Sequence, residues 1–265
     1  MSGQIIFFKK NKADYQNSNC VVTASESSNY APYVQRRRND IGFMTTGSSD
    51  ASNTTITVDF VDLQTLTDII LVKHNFKSFT IKYWDGASYV DFSTPIVETA
   101  NISVTSRYSF NSIAVTKFQI TVTGTMVLDA EKKIAQIIAT ELIGQLSAWP
   151  IIKTPVFFKN RQNIKALSGK TVTSANSGGF QCALQVKVLS ADADLTIIER
   201  LYGSGTGFLV WLSGGVASQF SSSREGYRLE DIYLMRSVND YSPEWNGGLY
   251  KSGMVLGISL AEVVF

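Results

Sequence analysis

The chain has 265 residues, 44% apolar and 17% charged, against roughly 25% charged in ordinary soluble domains, so it is long enough for one large or two small domains and is neither disordered nor fibrous. With 24 Lys and Arg against 22 Asp and Glu the net charge is +2, too weak a field to drive binding to nucleic acid or to an anionic membrane. One histidine and two cysteines leave few side chains for metal binding or acid–base chemistry, so an enzyme is disfavoured and no cofactor or metal is expected.

The N-terminal segment has an apolar run of four residues before Lys9, Lys10 and Lys12, too short for the core of an export signal. Cys20 and Cys182 are accordingly read as buried thiols in preference to a disulfide. The stretch SSNYAPYVQRRRND then reads as a loop in which Arg36, Arg37 and Arg38 stand beside Tyr30 and Tyr33. Three guanidinium groups beside aromatics suit a phosphate or a carboxylate-bearing partner surface, although pairing with Asp40 and Asp50 explains them as well. No basic stripe elsewhere extends the cluster into a nucleic-acid footprint.

Short strands follow. Thr54 to Phe60 alternates apolar and polar residues, as a strand with one wet face does, and Thr67 to Lys73 is a denser apolar run suited to a central strand. Phe79 to Trp84 alternates again, Asp85-Gly86 is a hairpin-turn dipeptide, and Ser88 to Phe92 resumes the pattern. Trp84 and Tyr89, flanking this turn with Tyr83, form a possible sugar platform, against the commoner role of strand aromatics as core. His74 ends an apolar strand and lacks any recognisable nucleophile motif, so it reads as a buried residue bonding the backbone. Ser106 to Phe110, Ile113 to Val115 and Lys117 to Val122 suggest three further strands.

From Asp129 to Ser147, Ile134, Ile137, Ile138, Leu142 and Leu146 recur at spacings of three and four. The spacing predicts an amphipathic α-helix capped by Asp129 and stopped by Pro150, which joins two β-rich bodies or covers the open side of one. Strands are predicted again at Val156 to Phe158, Ala166 to Val172, Gly179 to Leu189 and Gly207 to Leu212. Asp192 to Tyr202 reads as a short helix with Asp192 or Asp194 as its cap, which explains that acidic pair without a metal. The Gly203 to Gly207 run follows a helix and leads into a strand, the reverse of a phosphate-binding loop, so it is read as a cap and tight connection. Tyr227 to Val238, a loop carrying Trp245, and a last strand from Met254 to Phe265 complete the chain. Trp245, between Pro243 and two glycines, is the aromatic most expected at an interface.

With the strands laid out, the first half resembles the discoidin-like (galactose-binding-like) β-sandwich of many tailed-bacteriophage virion proteins. The likeness is carried by Cys20 to Ser25, by TTITVDF, by the run from Ile69 to Phe92 with its His74-Asn75-Phe76 and Trp84-Asp85-Gly86, and by KFQITV. The second half is similar to a phage tail-associated β-domain, through YRLEDIYLMRS, the Trp and Gly loop, and the C-terminal strand. The resemblance implies a mainly β protein with a discoidin-like sandwich over residues 1–128 and a second β-domain over 129–265 that opens with the helix 129–147. It implies a non-enzymatic structural protein of the virion tail, made in the host cytoplasm. Its partners would be itself, in a ring, and other tail or baseplate proteins, with neither nucleic acid nor membrane involved. Arg36 to Arg38 and Trp245 would be contact elements. The alternative is a carbohydrate-binding or receptor-binding module for host-surface glycans, with Trp84 and Tyr89 as its platform.

Overall fold

The computed structural model describes residues 5–36, 41–46, 50–147, 151–165, 171–188, 193–203, 207–212, 232–238, 244–245 and 254–263. In chain order these form β1 (Ile6–Phe8), β2 (Cys20–Ala24), a 3-10 helix (Ser28–Gln35), β3 (Phe43–Met44), β4 (Thr54–His74), β5 (Phe76–Trp84), β6 (Tyr89–Glu98) and β7 (Ser106–Thr125). Next come β8 (Lys133–Thr140), β9 (Leu142–Gln145), β10 (Ile151–Lys165), β11 (Thr171–Val188), α1 (Ala193–Gly203), β12 (Phe208–Trp211), β13 (Ile232–Ser237), β14 (Glu244–Trp245) and β15 (Met254–Glu262). The mainly β class expected from sequence holds. The chain divides into two compact units, one centred on Phe8–Leu142 and the other on Ile143–Val210 with Tyr233–Phe265.

The first unit contains a sheet in the order β3-β8-β4-β7-β5-β6, with β2 also paired to β4. Its two longest strands each join what the sequence divides into several. β4 runs through both Thr54–Phe60 and Thr67–Lys73, and three extra residues accumulate between its pairings Asp59 with Lys117 and Gln64 with Val115. That bulge turns Val61 and Leu63 outward, and Asn19 fastens it, its carbonyl accepting from Val61 N and its side-chain amide donating to Asp62. Before the bulge β4 lies between β2 and β7, and after it between β7 and β8. Ile56, Val58 and Phe60 from the first half and Ile69 and Leu71 from the second reach one core, shared with Phe79, Phe118 and Ile137. One bent sheet thus supplies both walls of that core.

The amphipathic helix expected over residues 129–147 does not exist. Lys133–Thr140 is instead β8, paired to β4 from Asp68–Thr140 to His74–Ile134, and Leu142–Gln145 is β9. Seven consecutive residues of β8 are buried, so the strand has no wet face and no alternation. A strand buried on both sides lets isoleucines fall at any spacing, and Ile134, Ile137 and Ile138 imitate a helical stripe by chance. Their β-branching favours the strand once a neighbour is there to pair. Asp129, expected as the helix cap, is a turn residue at φ 55 that exchanges hydrogen bonds with Asp50. With β8 in the first sheet, the first unit runs through Leu142 and does not stop at residue 128.

In the second unit β10, β11, β15 and β13 pair in succession, and the sheet continues through β12 and β1 to β9. The short helix is present as expected, α1 burying Ile197, Ile198 and Leu201. Asp194 does not serve simply as its cap, because its carboxylate accepts the Ser147 N–H at 2.9 Å and the Ser147 hydroxyl at 2.8 Å. Asp192 lies outside the described residues. α1 comes so close to β9 that a Cβ on Gly144 would sit 2.3 Å from Ile197 Cγ1. The final strand is paired on both sides, with β11 and with β13. Cys182 is buried as expected, and Cys20 is likewise a buried free thiol in the first unit.

Candidate functional site

The first unit presents two surfaces with the chemistry of a binding site. One is the outer face of β2, β4, β7, β5 and β6. Along β5, Phe79 and Ile81 point into the core and Tyr83 packs on it against Phe92 at 5.1 Å, so Lys82 and Trp84 must point out. The hairpin that follows is built as expected. Asp85 accepts from the Ala87 and Ser88 N–H groups, both at 2.8 Å, and Gly86 takes φ 108. The backbone bond from Ser88 heads the causes that lower the Asp85 carboxyl below its ordinary value. The turn returns the chain so that Tyr89 pairs directly with Trp84.

The result is a continuous cross-strand row. Val21 lies opposite Asp59, and Asp59 opposite Lys117. The Lys117 ammonium stands 4.6 Å from the centroid of Trp84, whose ring meets Tyr89 edge to face at 5.2 Å. The next row carries Thr57 and Gln119, joined at 3.2 Å, and Lys82 with Asp91 at 3.5 Å. A third carries Thr55, Thr121 and Thr80 in register. A half-exposed aromatic pair is therefore bordered by hydroxyl, amide, carboxylate and ammonium groups on one pleated surface. Trp84 and Tyr89, expected to stand together, do so, whereas Tyr83 belongs to the core.

The other surface is a cleft of ≈ 480 Å³ between the 3-10 helix and the β3–β8 edge, lined among others by Tyr30, Tyr33, Met44, Lys73 and Lys133. A 3-10 helix has three residues per turn, so residues three apart share a face. Tyr30, Tyr33 and Arg36 therefore fall on one side, while Ala31 and Val34 anchor the other in the core. The Tyr30 and Tyr33 rings lie 6.0 Å apart. The Arg36 guanidinium packs on Tyr33 at 5.0 Å and on Tyr15 at 4.9 Å, and its Nε is buried with no hydrogen-bond partner. Arg36 is thus a brace for the tyrosines. Arg37 and Arg38 lie outside the described residues. Trp245 falls in the short strand β14, where its backbone pairs with Met254, instead of in an open loop, and its side chain lies outside the description.

Sequence reasoning missed Lys73, Lys117 and Lys133, which lie in different strands and reach the two surfaces only once the strands pair. It also passed over the three-residue spacing of Tyr30, Tyr33 and Arg36, a signal legible in the sequence. His74 is the buried strand-end residue expected. Its Nδ1 accepts the Phe76 N–H at 3.2 Å, leaving Nε2 to donate to Ser106 Oγ at 3.1 Å. Burial among Phe76 and Phe79 lowers its pKa to about 4.

No protein-family model matches the sequence, and no curated protein matches it. Among solved structures, the chain is similar to chitosan-binding module 1 of a chitosanase/glucanase from Paenibacillus sp. IK-5, with 14% identity over 49% of this chain and 97% of that one and a TM-score of 0.40. It is similar to the module CpGH89CBM32-6 from Clostridium perfringens, with 14% identity over 49% of this chain and 98% of that one and a TM-score of 0.39. A putative alpha-L-fucosidase from Bacteroides thetaiotaomicron matches with 10% identity over 47% of this chain and 28% of its own, at a TM-score of 0.41.

Proposed function

We propose that the first unit is a carbohydrate-binding module and that the chain works by recognising surface glycans, without catalysing a reaction. The observation that carries this reading is the Trp84–Tyr89 pair on an outward sheet face, 5.2 Å apart and bordered by Lys82, Asp91, Gln119 and Thr57. A pyranose ring offers a C–H face that packs on an aromatic ring and an edge of hydroxyls that both donate and accept, so it needs flat aromatic area beside mixed polar groups. A shallow site of this kind binds weakly per residue and suits an extended chain better than a single sugar.

The test is a glycan array with the full chain, followed by calorimetric titration of the glycans retained. Trp84 is only half-buried, so Trp84→Ala should fold, and it should weaken binding by about tenfold or more. An array on which the intact chain binds nothing sinks the reading.

A second reading, a structural component of a phage tail or baseplate, rests on the sequence resemblance alone. A closed ring of copies would give a particle mass that is a multiple of the 29.2 kDa chain, and a strict monomer would remove this reading.

A further inference from the structure

We infer that the cleft between the 3-10 helix and the β3–β8 edge is a second binding site of the first unit, and that it takes a sugar residue bearing a carboxylate. This rests on the glycan-binding reading and gives it a ligand class that the Trp84 face does not specify.

Shape is the first argument. At ≈ 480 Å³ the cleft falls within the roughly 300–1,000 Å³ typical of ligand sites. Its depth depends on Gly42, where a Cβ would lie 2.4 Å from the Ile134 carbonyl oxygen, so any larger residue would push this segment off β8.

Preorganisation is the second. The two tyrosines sit on one face of a 3-10 helix whose opposite face is locked into the core, Pro32 stiffens the turn between them, and Arg36 braces Tyr33 from outside the cleft. Tyr30 is 43% exposed, so part of the residue is open to a ligand. Aromatic faces with hydroxyl tips at fixed separation suit a sugar ring better than a bare anion.

Charge is the third. Lys73 and Lys133 line the cleft, and no carboxylate residue does among those described. Lys133 pairs with Glu131 at 2.8 Å, but both side chains are about half exposed, and such a surface pair exchanges readily for another carboxylate. Lys73 has no ion-pair partner among the described residues. It is also one of few non-glycine residues at positive φ, 49°, held there by its N–H donating to Thr105 Oγ1 at 3.2 Å and by the fixed His74 that follows. Lysine does not adopt this backbone without tertiary constraint, and the twist turns Lys73 out of the β4 alternation at the cleft. Two ammonium groups and two aromatic rings lining one cleft match a ligand that is both cyclic and negatively charged.

The experiment titrates the full chain with oligogalacturonate and with its methyl ester, which has the same shape and no charge, at low and high salt. The acid should bind about tenfold more tightly than the ester at low salt, and added salt should erase the difference. Lys73→Gln, which removes the charge and keeps a polar side chain, should remove that preference, and Tyr30→Ala should weaken the acid while Trp84→Ala leaves its binding in place. Equal affinity for acid and ester, no binding of the acid, or full retention of the preference in Lys73→Gln overturns the inference. The glycan reading at the Trp84 face is judged separately, by whether any glycan retained on the array depends on Trp84.

Discussion

The Lys117 ammonium stands 4.6 Å from the centroid of the Trp84 ring, so the surface with most to offer a sugar is shielded by a neighbouring strand's own cation. A half-exposed contact of this type contributes about 0.5–1 kcal/mol. A sugar stacking on that face must displace the ammonium at that cost. Lys117→Met should therefore tighten binding of a neutral glycan by about two- to fivefold and lower stability by a similar free energy, measured by calorimetric titration and urea unfolding. A loss of affinity would mean that Lys117 donates to the glycan.

His74 gives the fold a defined acid limit. Its ordinary value of 6.5 falls to about 4 in the folded chain, where burial penalises the charged ring. The unfolded chain takes up the proton first as pH falls, so the contribution is fully present above 6.5 and is lost on the way down to about 4. The loss should amount to roughly 3 kcal/mol. Because His74 is the chain's one histidine, its ring proton resonance in NMR should report a neutral imidazole at pH 5 to 6. Titration near the ordinary value would contradict the packing described.

Asp68 is 1% exposed and accepts from Arg107 Nε at 2.8 Å, Ser109 Oγ at 2.7 Å and Thr67 Oγ1 at 2.6 Å. Removing one partner of such a pair strands the other. Asp68→Ala should cost about 3 kcal/mol, and Asp68→Asn, which retains a hydrogen-bonding side chain, about half as much. Urea midpoints at constant slope check both.

Gly144→Ala tests the approach of α1 to β9. With Ile197 Cγ1 at 2.3 Å from the added carbon, the substitution should destabilise the second unit by about 1–3 kcal/mol. Adding Ile197→Ala should make the pair of substitutions cost less than their sum. Simple additivity in thermal unfolding would place the helix elsewhere.

Burial pushes the Cys20 and Cys182 thiols up to about 12, so neither supplies a thiolate at neutral pH. Iodoacetamide should leave both unmodified in the native chain and modify both in denaturant, as mass spectrometry would record. Rapid native labelling of either would contradict its position.

Much of the first unit was legible from local chemistry. The alternation of Thr54 to Phe60, the Asp85-Gly86 turn and the resumption at Ser88 each depend on a residue and its near neighbours, and pleat and turn stereochemistry settle them within a few positions. Trp84 and Tyr89 could be placed together for the same reason, since a four-residue turn fixes the register of its own hairpin. The 193–203 helix was legible because its apolar stripe is bounded by polar residues and a stop glycine. The 133–140 segment was misread because it is wrapped on both sides, and a strand without a wet face carries no period.

The sequence by itself determined a β-rich chain of low charge, an aromatic hairpin and a buried histidine, all consequences of composition and short-range pattern. Only the tertiary structure decided that Lys117 covers Trp84, that Lys73 and Lys133 line one cleft with Tyr30 and Tyr33, and that Asp129 answers Asp50 across a loop. Those residues are separated by 33 to 103 positions, and what brings them to shared surfaces is the register of one bent sheet together with the docking of the 3-10 helix on it. Register is set by the fit of whole hydrophobic faces to a shared core, a property that no single stretch of sequence contains.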